Sequence, residues 1–335
     1  MRKIVFSVVL LAMSCMAVWA DGFEKDGLGY IIVDDIQVTV WSTVSPPSGE
    51  ITIPERVSYN GRSYMVTKIT GQGWSDVTKL TLPKSLIEID EECFYGAEGL
   101  EYINWSALTS LQTIGARAFT YSGIKEVTLP FNVRTVEENA FSGCEQLTGL
   151  TIQAMYLKEL SDGVFGNCTK LTAIDLSSTQ IQKIDEMAFY GCSALKTVKL
   201  PLLTLKEIGK TAFASCTAMT DFTLPTSVTT LGDRFLAWNT NLKTLTTQAS
   251  SPRTATSATF DGIDKDKVSL VVPRGTVPLY QNANGWKEFK KITDGTQAVE
   301  SVTRDITAPT KSFRNGLIYI LRSDKTYTVT GQEVK

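Results

Sequence analysis

Ile184–Leu200 reads IDEMAFYGCSALKTVKL, and close variants of this stretch recur along the chain. Its marks are an isoleucine, Ala188-Phe189, Cys192 three residues on, then Leu195 and the alternating Val198 and Leu200. In register, the phenylalanine position falls at Phe94, Phe119, Phe141, Phe165, Phe189, Phe213, Leu236 and Phe260, at spacings of 25, 22, 24, 24, 24, 23 and 24 residues. Repetition at a fixed period of this size marks a solenoid, in which no unit can bury its own apolar face and each must stack on its neighbours. Leu195–Leu200 alternates apolar and polar residues, the period of a half-buried strand. Pro83, Pro130, Pro201 and Pro225 directly follow such strands. Proline lacks a donor and fixes φ, so it ends the ladder and turns the chain. A second short extended stretch follows, as in Val133–Val136 or Ile181–Ile184. The Ala-Phe-x-x-Cys segment then returns the chain as a short helical or 3₁₀ turn.

The unit can be written L-x-x-V/I-x-L-P-x-x-V-x-x-I-x-x-x-A-F-x-x-C-x-x-L. Phe141-Ser142-Gly143-Cys144, Phe189-Tyr190-Gly191-Cys192 and Leu224-Pro225-Thr226-Ser227-Val228 match it closely. This pattern resembles the BspA-like leucine-rich repeats of bacterial surface proteins, over residues 69–292. The resemblance implies a right-handed parallel solenoid with one strand per repeat on the concave side, in a secreted or surface protein of Bacteroidota type. The fold expected is therefore a β-rich leucine-rich-repeat solenoid, horseshoe-like but mostly β, closed by a β N-terminal cap and a small C-terminal cap.

The 335 residues carry a net charge of −2 and no basic cluster, which argues against a nucleic-acid binder. There is no histidine, which removes Ser-His-Asp and Cys-His chemistry, imidazole zinc sites and histidine proton relays. With no reactive constellation in view, the chain reads as a non-enzyme without a cofactor or metal. Arg2-Lys3 followed by the apolar run Ile4–Met13 reads as an export signal over residues 1–20. That run is shorter than the roughly 20 apolar residues a spanning helix needs, and no later segment reaches that length. Val18-Trp19-Ala20 before Asp21 suits cleavage by a signal peptidase. Ala12-Met13-Ser14-Cys15 offers a second reading, a loose lipobox that would leave Cys15 as a lipid anchor. The apolar residues after Cys15 favour cleavage.

Residues 21–68 read as an antiparallel strand meander capping the first repeat, with strands at Tyr30–Val33, Ile36–Trp41, Ile51–Ile53 and Tyr64–Val66. Asn60-Gly61 signals a hairpin whose loop Arg62-Ser63 would lengthen. Trp74 then stands in the phenylalanine position of a degenerate first repeat. At the other end, Trp286, Phe289 and Ile292 lie at helical spacing and suggest a helix laid over the last rung. Residues 293–312 read as a polar linker. Residues 313–335 read as a β-hairpin tail turning at Ser323-Asp324-Lys325, similar to the short C-terminal tails of exported Bacteroidota proteins.

Cys144, Cys168, Cys192 and Cys216 recur every 24 residues. In-register Cβ vectors point the same way, which disfavours disulfides, and a straight ladder does not surround a metal ion. Ser122 and Asn239 fill the same position without sulfur, so the slot reads as a small buried apolar residue. With Cys93, and without Cys15, the mature chain holds an odd five cysteines, which no complete pairing within one molecule accommodates.

The outward strand positions form two columns. Lys79, Tyr102, Glu126, Gly149, Ala173, Thr197, Asp221 and Thr244 make one; Thr81, Asn104, Thr128, Thr151, Asp175, Lys199, Thr223 and Thr246 make the other. Extended surfaces of this kind are where repeat proteins bind partners. Tyr102, Asn104, Glu126, Thr128, Thr151, Asp175, Thr197, Lys199, Asp221 and Thr223 are therefore the candidate contact residues for a host matrix or bacterial surface protein. The competing reading is that these threonines serve β-propensity on a solvated face. A glycan is the alternative ligand, held by Trp41, Tyr59 and Tyr64 of the cap or by Tyr121, Met155 and Tyr156 of the array.

Overall fold

The computed structural model describes residues 22–43 and 47–295, together with the backbone of four strands between 310 and 334. Most repeats contribute a first strand of two to five residues, called the longer one, and a second of two, and each kind pairs in parallel with counterparts in neighbouring repeats, with lapses between some of them. The longer strands run from Val77–Thr81 and Tyr102–Ile103 through Glu126–Leu129, Gly149–Ile152, Ala173–Asp175, Thr197–Lys199, Asp221–Leu224 and Thr244–Thr247 to Ser269–Val271. The short ones run from Glu88–Ile89, Thr113–Ile114 and Thr135–Val136 to Glu159–Leu160, Lys183–Ile184, Glu207–Ile208 and Thr230–Leu231. The solenoid expected from the period, mostly β as the resemblance implies, is the fold observed.

Between the two ladders and the Ala-Phe turn lies the core. Phe94, Phe119, Phe141, Phe165, Phe189 and Phe213 are all buried and stack in sequence, with ring centroids 5.0, 5.0, 5.4, 5.6 and 5.3 Å apart. Burying one such ring stabilises by roughly 1.5–3 kcal/mol, and each ring pair adds about 0.5–1.5 kcal/mol. Trp74 starts the column, 5.8 Å from Phe94, as its sequence position implies. The column changes character at Leu236. The backbone amide of Phe213 donates to Phe235 O, where earlier turns use the alanine or valine before the ring, so Leu236 keeps the phenylalanine position. The aromatic ring now comes from Phe235, one residue earlier, and Phe222 on the strand bridges Phe213 and Phe235 at 5.2 and 6.1 Å.

Each turn is closed by residues in the left-handed region on either side of the ring. Two residues before it stand Glu92, Arg117, Asn139, Met187 and Thr211, with φ between 50° and 55°; two residues after it stand Tyr121, Asn167 and Ser215, or a glycine. Gly191 (φ 71°) is one of these glycines, and a Cβ there would lie 2.2 Å from Asn167 Oδ1 of the turn before.

The caps differ from their sequence reading in instructive ways. Strands β1 (Gly22–Lys25), β2 (Leu28–Ile32) and β3 (Gln37–Ser42) do form an antiparallel meander. β4 (Gly49–Thr52), however, pairs in parallel with Val77–Thr81 and becomes the first rung of the longer ladder. β5 (Arg56–Tyr59) and β6 (Arg62–Thr70) form the Asn60-Gly61 hairpin, and Tyr59 pairs with Arg62, so the loop has only two residues. Left-handed φ at both Asn60 (49°) and Gly61 (74°) makes the tight turn, and Arg62-Ser63 are strand residues. β6 then runs parallel to both β3 and Glu88–Ile89, joining the cap to the second ladder as one sheet. The cap is thus grafted in register onto both ladders, not laid over them as a separate meander.

At the C-terminal end only Val277–Gln281 is α-helical. Trp286–Glu288 is a 3₁₀ turn, and Ile292 lies on strand Lys291–Thr293, which pairs with Ser269–Val271. The spacing of Trp286, Phe289 and Ile292 came from a tight turn followed by extended chain. Trp286 and Phe289 still cover the last ring, 4.6 and 5.2 Å from Phe260. Towards the C-terminus Leu317–Arg322 and Lys325–Thr328 pair antiparallel, flanked by Thr310–Arg314 and Glu333–Val334 in a four-stranded antiparallel sheet that begins inside the stretch read as a linker. The 293–312 linker is bounded by strand at both ends, and its residues 296–309 lie outside the described residues, as do the leader and Cys15.

Phe189→Ala should lower unfolding free energy by about 3–5 kcal/mol, read as a shift in denaturation midpoint; an unmoved midpoint would remove the ring column as the main stabilising element. Gly191→Ala should cost about 1–2 kcal/mol because alanine pays for the left-handed φ that glycine adopts freely, measured the same way.

Candidate functional site

Strand pairing places the two outward columns as the sequence register predicts. Lys79 lies beside Tyr102, Glu126 beside Gly149, Ala173 beside Thr197 and Asp221 beside Thr244; Thr128 lies beside Thr151, Asp175 beside Lys199 and Thr223 beside Thr246. The cap extends the columns through Glu50 and Thr52, and the C-terminal strands extend them through Ser269 with Lys291 and Val271 with Thr293.

The ladder is not continuous, however. Backbone strand pairing lapses between Ile103 and Glu126, between Ile152 and Ala173, and between Lys199 and Asp221, which leaves four short sheets. At the first break Trp105–Ala107 forms a 3₁₀ turn, and the Trp105 indole donates to Glu126 O at 2.9 Å.

The ten candidate residues are not equally available. Tyr102 is 49% exposed, with Lys79 Nζ 5.7 Å over its ring. Asn104 is committed to the scaffold: its Oδ1 accepts from Leu82 N at 2.8 Å and its Nδ2 donates to Leu82 O at 2.9 Å. Lys199 Nζ donates to Asp175 Oδ2 at 2.8 Å, and the Asp175 carboxylate also accepts from the Ser177 amide. With the Lys199 ammonium as the main cause and Ser177 next, the Asp175 carboxyl is held down at about 2. Asp221 accepts from the Thr220 hydroxyl at 2.7 Å. Glu126, Thr151, Thr197 and Thr223 are exposed, and Thr128 is half-buried. The face therefore displays hydroxyls, one ring and a cross-rung ion pair on neighbouring strands, an arrangement that suits polar contact with a macromolecule.

The cysteine column is more than apolar filling. Cys144, Cys168, Cys192 and Cys216 each donate to the carbonyl of the phenylalanine one turn before, at 3.1, 3.3, 3.2 and 3.3 Å. Asn239 makes the same bond to Phe213 O at 2.9 Å. The slot takes a small buried side chain, alanine at Ala97 and serine at Ser122 included, and the cysteines and Asn239 add a hydrogen bond there. Burial pushes the Cys144 thiol up to about 12 and raises Cys93, Cys168 and Cys216 as well, so thiolate chemistry is closed to these sulfurs. Among the described residues no group of three or more His, Cys, Asp or Glu side chains is placed to hold a metal ion.

Of the aromatic residues considered for a glycan, those of the cap are occupied in packing. Tyr64 is buried, Tyr59 stacks on Phe23 at 4.1 Å, and Trp41 lies against Gly29, whose Cβ would fall 2.2 Å from its Nε1. Tyr121 meets Tyr95 edge to face at 5.8 Å. Tyr156 meets Phe131 likewise at 5.7 Å, and the Arg134 guanidinium sits 4.7 Å over its ring. Phe131 and Arg134 escaped the reading of the repeat because they lie outside the strand columns; the exposed Phe131 directly after Pro130 was the available signal.

A family model described as BspA type leucine-rich repeat region matches the chain in six copies, over residues 72–179 and 151–265. Among solved structures, a leucine-rich repeat protein from Bacteroides ovatus is 20% identical, with 81% of this chain and 78% of that one covered and a TM-score of 0.49. The pneumococcal vaccine antigen PcpA is 15% identical over 82% of this chain and 98% of its own, with a TM-score of 0.36. A leucine-rich cell surface protein from Faecalibacterium prausnitzii is 14% identical over 84% and 97%, with a TM-score of 0.25. No curated protein matches.

In Lys199→Met the Asp175 titration midpoint should rise from about 2 towards, but not into, the usual carboxylate range, because Ser177 still donates to it. Side-chain NMR titration reads this directly. The pair stabilises the fold only above the usual carboxylate pKa and loses that effect as pH falls towards 2, and its exposure keeps the stability change small.

Proposed function

The chain belongs to the BspA-type leucine-rich repeat family, and from that premise we propose that it is an exported, surface-exposed interaction protein acting as an adhesin-like binder. Its partner is a protein of the host matrix or of another bacterial surface, held on the outward face of the longer strands. The observation that carries this reading is the pair of columns kept in register over successive parallel strands, which presents Tyr102, Glu126, Thr151, Thr197, Asp221 and Thr223 on one extended face. Extended repeat surfaces gain affinity from a few central side chains within a broad complementary contact.

Export rests on the Arg2-Lys3 and Ile4–Met13 leader, with release after Ala20; Cys15 is the alternative, as a lipid anchor on the outer membrane. No helix among the described residues is long and apolar enough to cross a membrane. Binding without catalysis fits a chain that has no histidine and whose cysteines between 93 and 216 are buried. For a glycan partner, the packing of Tyr59 and Tyr64 in the cap removes the platform that the sequence suggested.

The test is retention of immobilised matrix proteins, and of proteins from neighbouring bacterial surfaces, by the mature chain. Combining Tyr102→Ala, Lys199→Glu and Asp221→Lys should weaken retention of the bound partner by about tenfold or more, while Lys210→Ala leaves it unchanged. Equal retention by the triple variant would overturn the assignment of the face, and a chain that retained only carbohydrate would overturn the class of partner.

A further inference from the structure

We propose that the groove where the N-terminal cap meets the first turns binds an acidic oligosaccharide, with Arg134 as the charged anchor. The groove has a volume of about 620 Å³, and its lining includes Glu55, Lys84, Ser110, Gln112, Asn132 and Arg134. None of the ten candidate residues of the strand face lines it. It lies instead along the residues that lead into the second, two-residue ladder.

Three features point to a sugar bearing a negative charge. The first is the state of Arg134. Its guanidinium rests 4.7 Å over the Tyr156 ring, and it makes no ion pair or hydrogen bond among the described residues. A planar fork held by stacking, with its donors free, is arranged to take a carboxylate or sulfate in two parallel hydrogen bonds. Lys158, one turn further on, is exposed and likewise lacks an ion-pair partner among the described residues. Glu55, the acidic group in the lining, is paired with Lys84 at 3.6 Å.

The second feature is the neutral lining. Thr109, Ser110, Gln112 and Asn132 bring hydroxyl and amide groups to one concavity, and Asn132 is fixed there by its Nδ2 bond to Thr109 O at 2.6 Å. That bond leaves the Asn132 carbonyl oxygen to accept from a ligand hydroxyl. The third is the rim. Phe131 directly precedes the lining residue Asn132 and is 53% exposed, and Tyr156, whose ring it meets, is 45% exposed. A sugar ring has a hydroxylated edge and a C–H face, and amides beside an exposed aromatic ring complement both.

Other polyanions fit less well. An extended peptide would be read through a free strand edge; Glu88–Ile89 and Thr113–Ile114, which follow the lining residues Ile87 and Gln112, are paired on both sides, and the strands paired on one side only, Thr135–Val136 and Arg56–Tyr59, offer edges of two and four residues. A nucleic acid would need phosphate contacts from many cations, and the chain has a net charge of −2.

The mature chain is titrated calorimetrically, at physiological salt, with a heparin tetrasaccharide, trigalacturonate, neutral cellotetraose and polyglutamate. One of the two acidic saccharides should bind and the other two probes should not. Arg134→Ala should weaken that binding by about tenfold or more without changing the melting temperature, Arg134→Lys should restore it only in part, and Gln112→Ala should weaken it independently. Lys199→Met, on the strand face, should leave it unchanged, which separates this site from the protein-binding face. The proposal falls if neither acidic saccharide binds, if Arg134→Ala and Gln112→Ala both bind as wild type, or if polyglutamate binds equally well. Should Arg134→Ala not fold, the Gln112→Ala result decides.

Discussion

Every ring in the core of this protein depends on the rings of other turns for its apolar surroundings. From Phe94 to Phe213 the centroids stay 5.0–5.6 Å apart and the planes within 19° of parallel. A turn of some two dozen residues cannot enclose a phenylalanine by itself, so neighbouring turns supply the contacts that burial requires. Hydrogen bonding follows the same logic: the Phe189 amide donates to Ala212 O of the next turn, and Cys192 Sγ donates to Phe165 O of the turn before. Capping is the corollary. Trp74 closes one end of the column, and Trp286 with Phe289 closes the other.

Because the scaffold is settled inside each turn, its outer positions are released from structural duty, though unevenly. Thr197 and Thr223 carry no scaffold hydrogen bond through their side chains among the described residues, whereas Asn104 is tied to both polar atoms of Leu82. Asp175 and Lys199 hold each other across one rung. The same cross-rung pattern recurs in Lys125 with Glu101, Arg117 with Glu92 and Lys210 with Glu186, each an exposed pair that contributes little stability but fixes where charge is displayed. Recognition on such a protein is therefore a matter of which positions the scaffold leaves unpaired, and the strand face and the cap groove are two separate answers.

The repeat was legible because a period of 22 to 25 residues constrains one ring, one small buried side chain and one alternating strand in every unit. Where those demands vanish, sequence reasoning lost its grip. Ile292 shared a spacing with Trp286 and Phe289, yet three-residue spacing arises equally from a 3₁₀ turn running into a strand. β4 and β6 looked like members of a meander because strand direction is set by partners, here Val77–Thr81 and Glu88–Ile89, which lie outside the cap. The swap at Phe235 preserves composition while changing which residue delivers the ring, and the pairing of Phe213 N with Phe235 O agrees with the register that put Leu236 in the ring position. The groove at Arg134 was hidden for a related reason: three of its sides recur with the repeat, before the short strands of successive turns, but the fourth comes from Glu55 and from Met65 of β6, whose place beside them depends on how the cap pairs.

The breaks in the longer-strand ladder have a mechanical consequence. Inter-turn hydrogen bonds in a solenoid lie along its long axis, so tension applied between the ends loads them turn after turn, in series. At the three lapses, beyond Ile103, Ile152 and Lys199, strand pairing on that face carries none of this load. The load there passes to the second ladder, where Thr113–Ile114 pairs with Thr135–Val136, Glu159–Leu160 with Lys183–Ile184 and Glu207–Ile208 with Thr230–Leu231, and to the phenylalanine column and the amide bonds of the Ala-Phe turns, such as Phe165 N to Ala188 O. Dispersion contacts of that kind are individually weak and have no preferred direction. Under tension the molecule would therefore open first on the longer-strand face at these three seams, hinging on the second ladder, which stays paired across them.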